Sequence, residues 1–281
     1  MMTMPAIMAD ELGKHIASDF RRLFGSAPQD KAERLDGAAR MALECLGRSD
    51  ALYHNVEHTF LVTLVGQDIL HGRMLTERLE PDDYSHLIVA CLLHDIGYVR
   101  GILKGDGRGR FVVDGSGATV TLPRGASDAA LAPYHVERSK LFVMDRLAGS
   151  PLLDAERVAR AVELTRFPVC SPLENAPDDR EGRLVQAADL IGQLGDPLYL
   201  KKANALFYEF EEIGLNRHLG YASPADLVER YPDFYWTSVS PHLEEAIAYL
   251  NVTAAGRQWI ANLHSHVFCA ENAFALMGPQ R

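Results

Sequence analysis

Thiols are scarce in this chain and poorly placed for a structural role. The four cysteines, Cys45, Cys91, Cys170 and Cys269, are far apart, and no two form a C-x-x-C pair. That spacing argues against a disulfide framework and against a cysteine zinc site. Cys91 lies inside an apolar run and reads as a small buried hydrophobe. Long hydrophobic runs are also missing: no stretch reaches the roughly 18 apolar residues of a membrane span. Near the N-terminus, Asp10, Glu11 and Lys14 stand where a secretory signal needs an unbroken apolar core. The expected address is therefore a reducing cytoplasm, with no membrane partner. Basic charge is in deficit, with 28 Lys and Arg against 38 Asp and Glu, a net charge of −10. Such a chain repels polyanions at long range, so a nucleic-acid polymer is not an expected partner. A small phosphorylated substrate is not excluded, because a bound divalent metal reverses the local field.

The sequence does have apolar residues at helical spacing. In 8–24, Ile16, Phe20 and Leu23 recur among Asp19, Arg21 and Arg22, and 30–46 is rich in Ala, Leu and charge; both fit amphipathic helices. A third helix is expected from about Asn55 to Leu70. Pro81 and Asp82 open a fourth, since proline is preformed for a first helical turn. The body of that helix, Leu87 to Leu93, is continuously apolar and suits a helix buried on most sides. Further helices are expected at about 133–148, 154–166, 179–194 and 198–213, with Pro168, Pro172 and Pro177 marking a loop between the second and third of these. Ser240-Pro241 followed by Glu244 and Glu245 resembles a helix start, continuing helical to about Ala275. Between the fourth and fifth helices the pattern breaks. Seven glycines (Gly101, Gly105, Gly107, Gly109, Gly115, Gly117, Gly125) fall in 100–125, and two β-prone runs flank Asp114-Gly115-Ser116-Gly117. This reads as a β-hairpin insertion over about 108–124, either a lid or a solvent-facing ornament. With no repeat, low-complexity tract or long linker, residues 1–281 form one all-α domain with a small β insertion.

Four short segments concentrate chemistry. Tyr53-His54-Asn55-Val56-Glu57-His58 places His54 and His58 four apart, on one face of a helix. Leu93-His94-Asp95-Ile96-Gly97 ends the apolar fourth helix on a His-Asp pair, and ionised Asp is rarely buried without a partner. Asp189 interrupts an otherwise apolar helical segment, and Tyr134-His135-Val136-Glu137-Arg138 supplies another histidine and a cation. His264 and His266 do not form a matching pair, because i,i+2 positions on a helix do not face each other.

The order H…HD…D, with the setting Leu-Leu-His-Asp-Ile-Gly, resembles the HD superfamily of metal-dependent phosphohydrolases. Tyr-His-Asn-x-x-His is also similar to the corresponding motif of the cyclic-nucleotide phosphodiesterases. The resemblance covers about residues 50–195 and implies an HD-type helical bundle, with a helical extension over about 198–275. It implies metal ligands at His58, His94, Asp95 and Asp189, with Asp95 able to bridge to a second metal. The resemblance assigns His54 to protonation of the leaving group. His135 and Arg138 are candidates for a second metal site or for phosphate contact, and Glu57 for orienting a ligand histidine. Arg100, Lys104, Lys201 and Lys202 are further candidate phosphate cations.

Two imidazoles and two carboxylates suit a borderline or hard divalent ion such as Mn, Mg, Zn, Fe, Co or Ni, in a mononuclear or binuclear site. Such an ion lowers the pKa of water and polarises a phosphoryl oxygen. The expected activity is hydrolysis of a small phosphomonoester or phosphodiester, with nucleotides among the candidates. The alternative is a di-iron oxygenase acting on a small organic substrate; such HD proteins recruit extra histidines between the HD dipeptide and the last Asp, where this chain has His135 alone. Apolar helix faces leave room for a homodimer.

Overall fold

A computed structural model describes residues 3–25, 29–167 and 179–276. The expected proline loop at Pro168, Pro172 and Pro177, and Cys170, lie outside these residues. The architecture is all-α with a small β insertion, as the sequence pattern predicts. The helices are α1 (Met4–Phe24), α2 (Gln29–Leu46), α3 (Val56–Thr76), α4 (Pro81–Leu93), α5 (His135–Arg146), α6 (Ala155–Glu163) and α7 (Arg180–Leu194). After them come α8 (Tyr199–Glu212), α9 (Leu215–Leu219), α10 (Pro224–Glu229), α11 (Tyr231–Phe234), α12 (Glu244–Leu250) and α13 (Ala254–Leu276).

Helix α3 is the axis of the bundle. It packs against α1, α2, α4, α7, α12 and α13, and it buries residues all round, among them Val62, Val65, Ile69 and Leu70. A helix that is apolar on every side belongs inside a bundle rather than on its surface. Asn55 starts it: the side-chain oxygen accepts from the backbone N–H of Glu57 at 2.9 Å and of His58 at 3.4 Å, satisfying donors that a first turn leaves orphaned. Every residue of α4 from Tyr84 to Leu93 is buried, so the helix delivers His94 and Asp95 into the interior where it ends. Asp154 and Asp179 cap α6 and α7 in the same way as Asn55 caps α3.

Close approach of α3 and α7 depends on Gly192. A Cβ there would lie 2.9 Å from Cα of Val62, a backbone atom that cannot turn aside. Val62 is one turn past His58, and Gly192 is one turn past Asp189, so this contact sets the separation of two candidate ligands.

The insertion is a two-stranded antiparallel hairpin of β1 (Arg110–Val112) and β2 (Thr119–Thr121), with Phe111 opposite Val120. None of its residues lines the chamber described below. Instead, Arg138 of α5 donates to the carbonyl of Val112 and, at 3.0 Å, to the carboxylate of Asp106, tying the glycine-rich segment to the bundle.

The C-terminal region departs from the expected continuous helix. Ser240–His242 is a single 3-10 turn, and the chain leaves α12 and restarts as α13 after Asn251–Thr253. Thr253 Oγ1 accepts from Gly256 N–H at 2.9 Å, a side-chain cap that starts a new helix where the old one ends. Among the described residues no disulfide forms, and Cys91 is fully buried as a hydrophobe. No helix among them is long and apolar enough to cross a membrane.

Candidate metal centre and its chamber

Four side chains, from α3, from α7 and from the two residues that follow α4, come together in the interior. His58 Nε2 lies 3.1 Å from Asp189 Oδ1, 3.4 Å from Asp95 Oδ2 and 3.3 Å from His94 Nε2. His94 Nε2 lies 3.1 Å from Asp95 Oδ2 and 3.5 Å from Asp189 Oδ1. Ligands about 2.0–2.2 Å from one ion stand roughly 3.0–3.5 Å apart, whether tetrahedral or cis-octahedral. The measured spacings fall in that window.

The polar accounting points the same way. His94 Nδ1 donates to the Cys91 carbonyl at 2.8 Å, which fixes the tautomer and turns the Nε2 lone pair toward the cluster. Asp95 Oδ2 is buried without a hydrogen-bond partner. An orphaned carboxylate oxygen facing two imidazoles is what a cation would satisfy. Burial raises the Asp95 and Asp189 carboxyls, yet the adjacent histidines, His94 foremost, hold both well below the ordinary range. Burial lowers the His94 imidazole, and the two carboxylates overcome it and hold the ring well above its usual value. The residues present fit a divalent metal.

Around this core the rings are stacked. Tyr98 lies between His54 (centroids 4.8 Å apart, 10° between planes) and His135 (4.5 Å, 25°). His135 Nδ1 donates to the Ala132 carbonyl at 2.6 Å, leaving Nε2 3.7 Å from Asp95 Oδ1. Asp95 thus turns one oxygen to His58 and His94 and the other to His135. The backbone allows this because Gly97 has no Cβ: an added one would lie 2.0 Å from the His135 carbonyl. A ring nitrogen of His54 lies within 4.8 Å of donor atoms of His58 and Asp95. Its Nδ1 is taken by Glu209 of α8 at 2.5 Å, so Nε2 is the nitrogen left for the cluster. Burial depresses the His54 imidazole, but the Glu209 carboxylate outweighs it and holds the ring at about 9.

The structure separates the other expected site residues from the cluster. Arg138 is fully buried and is not a phosphate ligand. Its guanidinium donates to the carbonyls of Gly97, Val99 and Val112 and to Asp106, which uses its donors up. Glu57 is exposed and pairs with Lys202 at 2.8 Å instead of orienting a ligand histidine. Lys202 also pairs with Asp196, Arg100 with Asp50 and Asp128, and Lys104 with Asp145. Lys201 is exposed and absent from the chamber. Sequence reasoning missed Glu209, which sits among Glu211 and Glu212 in a run that reads as a solvated helix face. It also missed Tyr98, whose only signal was its place three residues past Asp95.

Beside the cluster opens a chamber of about 330 Å³. His54, Asp95, His135 and Asp189 line it beside the cluster, Thr165, Gln186, Gln193 and His218 add further polar groups, and side chains of α7 to α11 form much of its wall.

A family model described as Npun_R2479-like matches residues 2–273. The chain belongs to that family. No curated protein and no solved structure matches it. The Npun_R2479-like match runs through α8 to α11 as well as through α3 to α7, so cluster and chamber wall fall within one family unit.

Proposed function

We propose that this protein is a metal-dependent hydrolase of small phosphoesters, built on an HD-type site. The observation that carries the reading is that His58 Nε2 and His94 Nε2 lie 3.3 Å apart, and each stands 3.1–3.5 Å from one oxygen of Asp95 and one of Asp189. These residues would hold the metal, and Asp95 with His135 would hold a second. When bound, such an ion supplies an acidified water and polarisation of a phosphoryl oxygen.

The rest of the chemistry belongs to the chain. His54 protonates the departing oxygen through Nε2, because Nδ1 is committed to Glu209. Tyr98 keeps the planes of His54 and His135 parallel and apart. Burial of the cluster strengthens each of these interactions relative to water.

A second reading, a di-iron oxygenase, is favoured by one observation: His54 and His135 bring the imidazoles near Asp95 to four. Metal analysis of the purified protein, beside a phosphatase and phosphodiesterase screen with Mn, Mg, Co or Fe, separates the two. Phosphate release that depends on metal and vanishes in Asp95→Ala is the expected result. Bound iron with dioxygen consumption and no phosphoester turnover would transfer the assignment to the oxygenase.

A further inference from the structure

We propose that the chamber takes the apolar body of the substrate, an alkyl chain or aryl ring, carried on a single compact anionic head at the metal cluster. This rests on the hydrolase reading and narrows it: the preferred phosphoester is not a nucleotide or a polyphosphate.

The chamber's chemistry is asymmetric. Leu164, Phe167, Leu190, Phe210, Leu219 and Phe234 all line it and are only half buried. These are large apolar side chains that stay partly uncovered on the chamber wall. Phe167 and Phe210 stack with centroids 6.0 Å apart and planes 12° apart, and Phe234 meets Phe167 edge-on at 6.2 Å. Stacked and edge-on pairs are the arrangements aromatic rings prefer, so the three rings brace one another as an aromatic wall.

Cationic groups are few: apart from the histidines at the cluster, His218 is the one histidine lining the chamber. Among the described residues, Arg166 is the one Arg or Lys lining the chamber, and it is bonded to Glu163 at 2.7 and 2.9 Å. A polyphosphate would need several positive groups beyond the metal. Arg100, Lys104, Lys202 and Arg138 are committed elsewhere, Arg138 most completely, and Lys201 does not line the chamber. A volume of about 330 Å³ is at the small end of ligand pockets, which run from about 300 to 1,000 Å³. It suits one chain or ring rather than a base, a sugar and several phosphates.

The test uses the manganese-loaded full chain and n-alkylphosphonates from methyl to octyl, which bind without turnover, followed by calorimetry. Each added methylene is expected to tighten binding about fourfold until the chamber fills. Phe210→Ala should weaken octylphosphonate at least tenfold and leave methylphosphonate unchanged, with Phe210→Leu intermediate. Phe234→Leu serves as the second wall variant if Phe210→Ala does not fold. Affinity that is flat with chain length, or no binding by any member, overturns the proposal. The parallel turnover assay with n-alkyl phosphates keeps the two readings apart. Graded affinity without turnover upholds the chamber and removes the hydrolase. Turnover with flat affinity, or with nucleotides preferred, upholds the hydrolase and removes the apolar chamber.

Discussion

Glu209 Oε2 lies 2.5 Å from Nδ1 of His54, across 155 residues of chain. The other carboxylate oxygen accepts the backbone N–H groups of Tyr53 at 2.6 Å and His54 at 3.2 Å. One buried side chain of α8 therefore fixes both the imidazole and the peptide that carries it. Glu209→Gln keeps the shape and removes the charge; turnover of an aryl phosphate should fall about ten- to hundredfold. His54→Asn should fall further, by about a hundred- to ten-thousandfold. Unchanged metal content in both variants would assign the loss to proton transfer. Equal activity of Glu209→Gln and wild type would remove Glu209 from the machinery.

His135 offers a test of metal number. Its Nε2 faces the oxygen of Asp95 that the His58 and His94 pair does not use. If Asp95 bridges two ions, His135→Ala should lower the metal content from two equivalents to one, while His58→Ala or Asp189→Ala should empty the first position. Stoichiometry by elemental analysis after desalting reads this directly. A single equivalent in wild type would leave His135 as a wall of the chamber only.

Arg138 is expected to behave as structure and not as a phosphate ligand. Truncating a buried, fully paired cation leaves carbonyls and the Asp106 carboxylate unsatisfied, a loss of about 3–5 kcal/mol. Lysine cannot reproduce the guanidinium fork that reaches Gly97, Val99 and Val112 together. Arg138→Lys should therefore lower the urea midpoint sharply, while KM for a phosphoester in the folded fraction stays within about twofold. A selective rise in KM with normal stability would restore the phosphate role.

The elements that were legible in the sequence share one property: their signal is local. Helical periodicity and the Pro81 start placed α1 to α8, to within a few residues except at the end of α3, which runs six residues past Leu70 to Thr76, and the Gly-rich turn placed the hairpin. The residues that meet in the cluster were legible because they lie in short, unusual motifs and in an acid on an apolar segment. What was not legible depends on distant partners. Whether Arg138 meets a phosphate or the hairpin carbonyls is decided by where Val112 folds back. Glu57 and Glu209 are both helical acids, and only the tertiary placement of α8 puts the second of them against His54. The chamber escaped for the same reason, since half-buried apolar residues of α8 to α11 have the same spacing as residues of a closed core.

Asp19 and His71 give the fold a pH-dependent contact remote from the cluster. His71 donates to Asp19 at 2.7 Å, and Tyr84, Gln67 and Arg22 also bond the same carboxylate, while Asp68 lies 3.6 Å from the other ring nitrogen of His71. The bond to Asp19, helped by Asp68, holds His71 up at about 9; burial raises Asp19, but His71 and Arg22 bring it down to about 2. The two shifts report one interaction. From the His71 side it is fully present below the unfolded value of 6.5 and is lost as pH rises through 9. From the Asp19 side it is present above 3.8 and is lost as pH falls through 2. Stability should therefore be flat from about pH 4 to 6.5 and decline on either side. Asp19→Asn should cost about 2–3 kcal/mol at pH 6 and flatten the decline between pH 6.5 and 9. Equal slopes in urea titrations of wild type and variant would exclude this pair as the source.

Gly192 tests whether site and fold share one contact. An added methyl at 2.9 Å from Cα of Val62 and 3.0 Å from its nitrogen forces α3 and α7 apart, since neither atom can rotate away. Overpacking of this kind destabilises by about 1–3 kcal/mol. Its position gives the variant a second consequence. His58 is one turn before Val62 and Asp189 one turn before Gly192, so the 3.1 Å spacing of His58 Nε2 and Asp189 Oδ1 opens with the helices. Gly192→Ala should therefore lose metal affinity by at least tenfold as well as thermal stability. A surface control of equal stability loss, Arg160→Gly in α6, should keep its metal. If both variants hold metal equally at matched stability, the helix spacing is set elsewhere and Gly192 serves packing alone.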